Sequence, residues 1–273
     1  MLVITILGAL VGLVLGLTGA GGGILAVPAL VLGMQWPMTQ AAPIALIAVG
    51  LAAVTGALDG LQKRQVRYKA AILMAIAGAL TAPIGIALAH QLSDTLLMFC
   101  FGALMVLIAT RMLRGLLGAR QAAQKSQMSK PCRLNTGTGK FIWTPPTILT
   151  IGGIGAVTGM FTGLLGVGGG FLVVPALQRY TPLSLHSIVA TSLMVIAMVS
   201  GSAVTVALWQ NRALPSGSWY FVCAVISGMI LGRLLAPRLP ARTIQLTFAL
   251  LCLVAAGIVL LQAAGLIGPL TQL

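Results

Sequence analysis

The chain has 273 residues, 59% of them hydrophobic and only 7% charged, with a net charge of +14. A soluble domain carries roughly 25% charged residues, so this chain cannot cover a water-facing surface. The mean hydropathy of +1.07 and repeated apolar runs long enough for a bilayer core of about 30 Å read instead as a polytopic, all-α membrane protein, and the lipid bilayer is its first partner.

In chain order, residues 2–17 form an apolar helix that ends at a glycine cluster. This N-terminal run lacks a basic leader and a small-residue cleavage site, so it reads as the first helix rather than a signal peptide. Residues 24–34 form a short segment. Eleven helical residues rise only about 16 Å, half the bilayer core, and Gln35–Pro37 end it. Residues 41–58 make a full span, Asp59–Lys69 a basic loop, and 70–89 and 95–113 two more spans. Residues 1–110 are therefore a first transmembrane repeat, and 111–146 a basic linker whose first part can continue the preceding helix. Residues 147–273 restate the order: a helix at 147–165, a short segment at 171–180, and spans at 185–208, 219–235 and 243–265.

The duplication rests on one match. Residues 16–30, GLTGAGGGILAVPAL, return as 163–177, GLLGVGGGFLVVPAL, at a constant separation of 147. Each half thus holds four long helices plus a half-length helix after a glycine-rich break. The half-length piece and its partner either re-enter or cross. Each half then has three or five crossings, odd either way, and the second half enters from the opposite side as an inverted repeat. Cation placement supports this. With Asp59–Lys69 in the cytoplasm, the central linker and APRLPAR (236–242) fall there too. Of the 16 Lys and Arg, only Arg212 is left outside, as the positive-inside rule requires. Both termini are then expected outside the cytoplasm, in a bacterial-type inner membrane.

Irregular backbone inside a bilayer is tolerated only where protein or a water-filled cavity satisfies it. The half-length helices begin at the glycines, so their N-termini point toward the membrane interior. Helix N-termini offer unpaired N–H donors and partial positive charge, and two of them meeting near the midplane can hold a small anion without a buried Lys or Arg. The predicted contact set is Thr18, Gly19, Gly21, Gly22 and Gly23 with Gly166, Gly168, Gly169 and Gly170. Pro28 and Pro175 are expected to kink or hinge the short helices. The competing use of glycine is close helix packing, which is the expectation for Gly8, Gly12, Gly155 and Gly159.

These motifs, with ATSL at 190–193 and GRLLAPRLP at 232–240, resemble the TauE/SafE (sulfite exporter, TSUP) family over essentially the whole chain. The resemblance implies a secondary transporter, an exporter of small anions such as sulfite, sulfoacetate, thiosulfate or related organosulfur and organic acids. The halves differ at one place: APIALIA (42–48) stands where VATSLMV (189–195) is expected, so Thr191 and Ser192, both candidate substrate ligands, have no counterpart.

Other polar residues are read more plainly. Ser200 and Ser202 share the span of Thr191, and helical hydroxyls usually bond their own turn. His186 is a candidate proton relay, with a capping or interface role as the alternative. Asp59 is expected to pair with Lys63 at the inner end of a span. No carboxylate is expected within a span, which argues against a carboxylate relay. Cys100, Cys132, Cys223 and Cys252 form no CxxC pair. No HExxH, GxSxG or Walker A motif is present, and no aromatic-basic pattern accompanies the cations. A cofactor, metal, nucleic-acid partner or enzymatic activity is therefore not expected. A membrane-embedded assembly subunit without transport is the alternative function, and a membrane enzyme a remoter one.

Overall fold

The computed structural model describes residues 2–19, 22–34, 36–125, 132, 143–209, 217–238 and 240–264. They form ten α-helices. The first half holds α1 (Leu2–Thr18), α2 (Gly23–Met34), α3 (Met38–Gln62), α4 (Tyr68–Gln91) and α5 (Asp94–Lys125). The second holds α6 (Pro145–Leu165), α7 (Gly170–Tyr180), α8 (Leu185–Trp209), α9 (Ser218–Leu235) and α10 (Ala241–Ala263), with a 3-10 turn, Ala236–Arg238, before α10. Each half therefore has four longer helices and one short one, in the expected order. Seven of them, α3–α6 and α8–α10, are long and apolar enough to cross a membrane. Arg212 and the linker cations Lys130, Arg133 and Lys140 lie outside the described residues.

Helix limits follow local chemistry. Pro37 and Pro240 precede α3 and α10, and two prolines open α6, where a missing N–H costs nothing. Gly166 ends α6 in the left-handed region at φ 71°, the usual glycine stop. Helix α5 runs on to Lys125, so the boundary expected at residue 110 falls inside a continuous helix.

The two halves exchange helices rather than packing side by side. Helix α1 lies along α9, and α6 lies along α4. Glycines make both crossings close. Gly8, Gly12 and Gly16 face Phe221, Val225 and Met229, while Gly155, Gly159 and Gly163 face Met74, Gly78 and Ala82. Each partner in one series is 147 positions from its counterpart in the other. Numbering rises together on both sides, so α1 and α9 run parallel, as do α6 and α4. Helices α3 and α8 pack in the opposite sense: Gly50 meets Ser200, Gly56 meets Leu193 and Gly60 meets Ala190. Helix α5 packs on α10. A buried core of Leu15, Ile24, Leu30, Ile44, Phe101, Met105, Leu165 and Phe221 runs between these layers.

Asp59 is placed differently from the sequence reading. It lies in the last turns of α3, inside the candidate span Gln40–Gln62, because that helix continues past residue 58. The expected pair with Lys63 is present at 3.0 Å. A second partner comes from the other half: Arg233 of α9 donates through Nε to Asp59 Oδ2 at 2.7 Å. A half-exposed carboxylate can remain charged there because two cations neutralise it.

Outside the spans, Cys132 is buried in a cluster with residues of α4, α6, α7 and α8, and its N–H donates to the Tyr180 carbonyl at 3.4 Å. Burial pushes its thiol upward, against a hydrogen bond with Thr147 that lowers it. Alkylation requires the thiolate, so labelling of Cys132 in the native protein should stay slow at neutral pH and rise only above the ordinary thiol range. Mass spectrometry of maleimide-treated protein checks this.

The glycine crossings make a sharper prediction. A Cβ on Gly12 or Gly159 would meet the backbone of Val225 or Gly78, whereas Gly153 faces open space. Gly12→Leu and Gly159→Leu should each destabilise by about 1–3 kcal/mol or more. Gly153→Ala should be neutral or stabilising by about 0.5–1 kcal/mol. Thermal unfolding in detergent measures both, and an unchanged Gly159→Leu midpoint would contradict the crossing.

Candidate functional site

The two glycine breaks come together. Helix α2 touches α7, and a Cβ on Gly23 would lie 2.9 Å from the Val167 carbonyl oxygen. Val49 of α3 reaches both, at 3.1 Å from that Gly23 position and 3.3 Å from the equivalent position on Gly168. Helices α3 and α8 clasp the breaks from two directions. Gly19 packs on Val189 of α8, and Gly166 on Ala42 of α3, again counterparts 147 apart. Gly168 also meets Ile196 and Ser200 of α8, and Gly169 meets Thr158 and Thr162 of α6. Gly19, Gly22, Gly23, Gly166, Gly168, Gly169 and Gly170 are all buried. Gly21 lies outside the described residues.

The glycines answer a conformational need. Gly19, Gly166, Gly168 and Gly169 have φ of 79°, 71°, 74° and 65°, where a side chain costs about 1–2 kcal/mol. Their neighbours also leave no room for a Cβ. The chain can therefore leave one helix and start the next within four residues.

The breaks differ in how their polar groups are met. At the first, Thr18 Oγ1 accepts from the Gly22 N–H at 3.1 Å and donates to the Val14 carbonyl at 2.7 Å. At the second, Leu165 replaces that threonine, and Gly169, the N-cap of α7, gives no side-chain cap. Helices α2 and α7 run unbroken through Pro28 and Pro175. Each proline lacks an N–H, so the carbonyl four residues earlier loses its helical donor.

The polar residues of α8 separate by use. Thr191 Oγ1 accepts from the Arg67 N–H of the α3–α4 loop at 3.0 Å. Ser192 and Ser202 donate to carbonyls in their own turns, both at 2.8 Å. Ser200 is fully buried, and its Oγ has no hydrogen-bond partner. Thr158 of α6 is alike: 1% exposed, with Oγ1 unpartnered. Arg67 Nε and Gln262 Oε1 complete the unpartnered buried side-chain atoms among the described residues. Buried polar atoms are normally paired, so these mark places of interest. The structure thus brings the glycines together with Ser200 and Thr158. Thr191 and Ser192 lie about two turns from Ser200 along α8 but within one turn of Val189, which packs on Gly19, and His186 is exposed in the first turn of α8. Sequence reading grouped the α8 hydroxyls; only side-chain partners distinguish Ser200, and Thr158 carried no signal. No group of three or more His, Cys, Asp or Glu residues suited to a metal occurs among the described residues.

Two substitutions test this construction. Gly166→Ala places a methyl against the Ala42 backbone at positive φ and should destabilise by more than the ~1–2 kcal/mol of the left-handed conformation alone. Thr18→Val strands the Gly22 N–H and should cost about 1–3 kcal/mol. Both are read as a lowered unfolding midpoint; a wild-type midpoint for Gly166→Ala would contradict the packing described.

Comparison with known proteins agrees with this architecture. Residues 4–259 match the family model described as "Sulfite exporter TauE/SafE". Two curated relatives come from Xylella fastidiosa, each named "Probable membrane transporter protein". The one from strain Temecula1 is 31% identical over 238 residues, 86% of this chain and 84% of its own length. The one from strain 9a5c is 30% identical over 238 residues, with the same coverage. No solved structure is significantly similar. A whole-length family match, multiple apolar spans and a doubled glycine break have one meaning: this chain belongs to the TauE/SafE sulfite exporter family of multi-pass membrane transporters and is not an enzyme.

Proposed function

We propose that the protein is a secondary transporter, working as an exporter, of a small anion such as sulfite, sulfoacetate, thiosulfate or a related organosulfur or organic acid. The observation that carries the reading is the meeting of the two glycine breaks at the N-termini of α2 and α7, clasped by α3 and α8. Two helix starts in one buried place concentrate N–H donors and partial positive charge. No carboxylate is described beside them to repel an anion. The contact set is drawn from Thr18–Gly23 and Gly166–Gly170, with Thr191 and Ser192 on the approach along α8.

The halves work as inverted repeats in this reading. The antiparallel run of the corresponding helices α3 and α8 supports it, as does the Asp59–Arg233 pair. A parallel arrangement would put the ends of α3 and α9 on opposite faces of the membrane, about 30 Å apart. Alternating access then follows from rocking one half against the other about the shared breaks. The positive-inside rule sets the linker and the Asp59–Lys69 loop in the cytoplasm and both termini outside it.

Purified protein should be stabilised against heat by sulfite, thiosulfate or sulfoacetate, and proteoliposomes should move the stabilising anion. Stabilisation by cations or neutral solutes alone would end the anion reading. Flux unaffected by His186→Ala across pH 5–8 would remove that histidine as a relay. A reporter fused after residue 273 should be active only outside the cytoplasm.

A further inference from the structure

We propose that the transported anion is gripped most directly at the second glycine break, by the hydroxyls of Ser200 and Thr158 together with the N–H groups at the start of α7. The inference rests on the anion-transport reading and assigns its direct contacts.

The two breaks match in sequence but differ in what is left unbonded. At the first, Thr18 accepts the Gly22 N–H and donates its own proton to the Val14 carbonyl. The second has Leu165 at that position and no side-chain cap on α7. Beside it stand two buried hydroxyls without partners. Ser200 Oγ is 3.3 Å from where a Cβ on Gly168 would lie, and Thr158 meets that position on Gly169, the N-cap of α7, through the methyl that shares its Cβ with the unpartnered hydroxyl. The positions 147 earlier are Ala53 and Val11, which carry no hydroxyl. Thr162, the other hydroxyl at Gly169, already donates to the Thr158 carbonyl at 2.8 Å.

Desolvated hydroxyls are kept at a cost unless something bonds them. The adjoining groups determine what that is. Helix α7 has eleven residues, and its start presents donors and partial positive charge, which disfavours a cation. An oxyanion with at least two acceptor oxygens satisfies both hydroxyls and the α7 N–H groups at once. A sulfite or sulfonate head has this form. At the first break the Gly22 N–H is already held by Thr18.

The test uses full-length purified protein with potassium sulfite as probe, comparing wild type with Ser200→Ala, Thr158→Val and Thr81→Val, the last at a hydroxyl that donates to the Ala156 carbonyl at 2.7 Å. Without sulfite, Ser200→Ala and Thr158→Val should unfold at or above the wild-type midpoint, since each removes an unpaired buried hydroxyl. Their sulfite Kd should rise about tenfold each, the effect of losing a hydrogen bond to a charged group. Thr81→Val removes a hydrogen bond between α4 and α6, so it should unfold earlier yet keep a Kd within about twofold of wild type. A structural role for the two hydroxyls would instead lower the sulfite-free midpoint and leave Kd unchanged, and that result overturns the inference. Unchanged Kd in both variants, with wild type binding, defeats this inference alone. No response of wild type to sulfite, thiosulfate, sulfoacetate or sulfate defeats the transport reading and this inference with it.

Discussion

A peptide chain that stops being helical inside a bilayer must find partners for its backbone within the protein. Gly19, Gly22 and residues 166–169 stand between helices in buried surroundings, and much of the structure serves to enclose them. Helix α8 covers Gly19 through Val189 and Gly168 through Ile196, while α3 covers Gly166 through Ala42 and both breaks through Val49. One helix from each half thus guards its own break and that of its neighbour. Neither half could bury its break alone, so the duplicated chain acts as one unit.

Enclosure depends on close approach elsewhere. Lipid tails are as apolar as leucine, so hydrophobicity does not drive helices together in a membrane; packing and hydrogen bonding do. The α1–α9 and α4–α6 crossings answer this with glycine stripes that let backbones touch. Both crossings join different halves, and their residue pairs follow the same separation of 147 as the glycine motif. Asp59 and Arg233 tie the ends of α3 and α9 across the same boundary, where a lone charge would be costly. The duplication therefore set the packing as well as the motif.

Within this near-symmetry the polar atoms depart from it. Thr18 satisfies the first break, and Leu165 leaves the second uncapped. Thr191 is occupied in holding the α3–α4 loop to α8, and Ser192 bonds its own turn, while Ser200 and Thr158 have no partner. A substrate has no two-fold axis to respect, and a site shared by two similar halves can be specialised by a few substitutions on one side.

Much of the fold was legible in the residues. Apolar runs, prolines and glycines marked ten helices within a few positions, except that α5 runs twelve residues past its expected end at 113, because the apolar part of a membrane helix must be continuous and of set length. The repeat was legible because GxGGG with a following proline is rarely kept twice by chance. Three things needed tertiary structure. Arg233 as partner of Asp59 lies 174 positions away, and no local spacing carries that pairing. The end of α3 past Asp59 was missed because charge reads as a loop until a cation from another helix neutralises it. The separation of Ser200 and Thr158 from other helical hydroxyls depends on which carbonyls lie within reach. Sequence alone determined that this chain spans a membrane as two copies of one unit broken by glycine, since hydropathy and backbone freedom are properties of the residues themselves. Which helices cross, and which hydroxyls remain unbonded, was decided only by the fold, because both depend on atoms brought together from distant parts of the chain.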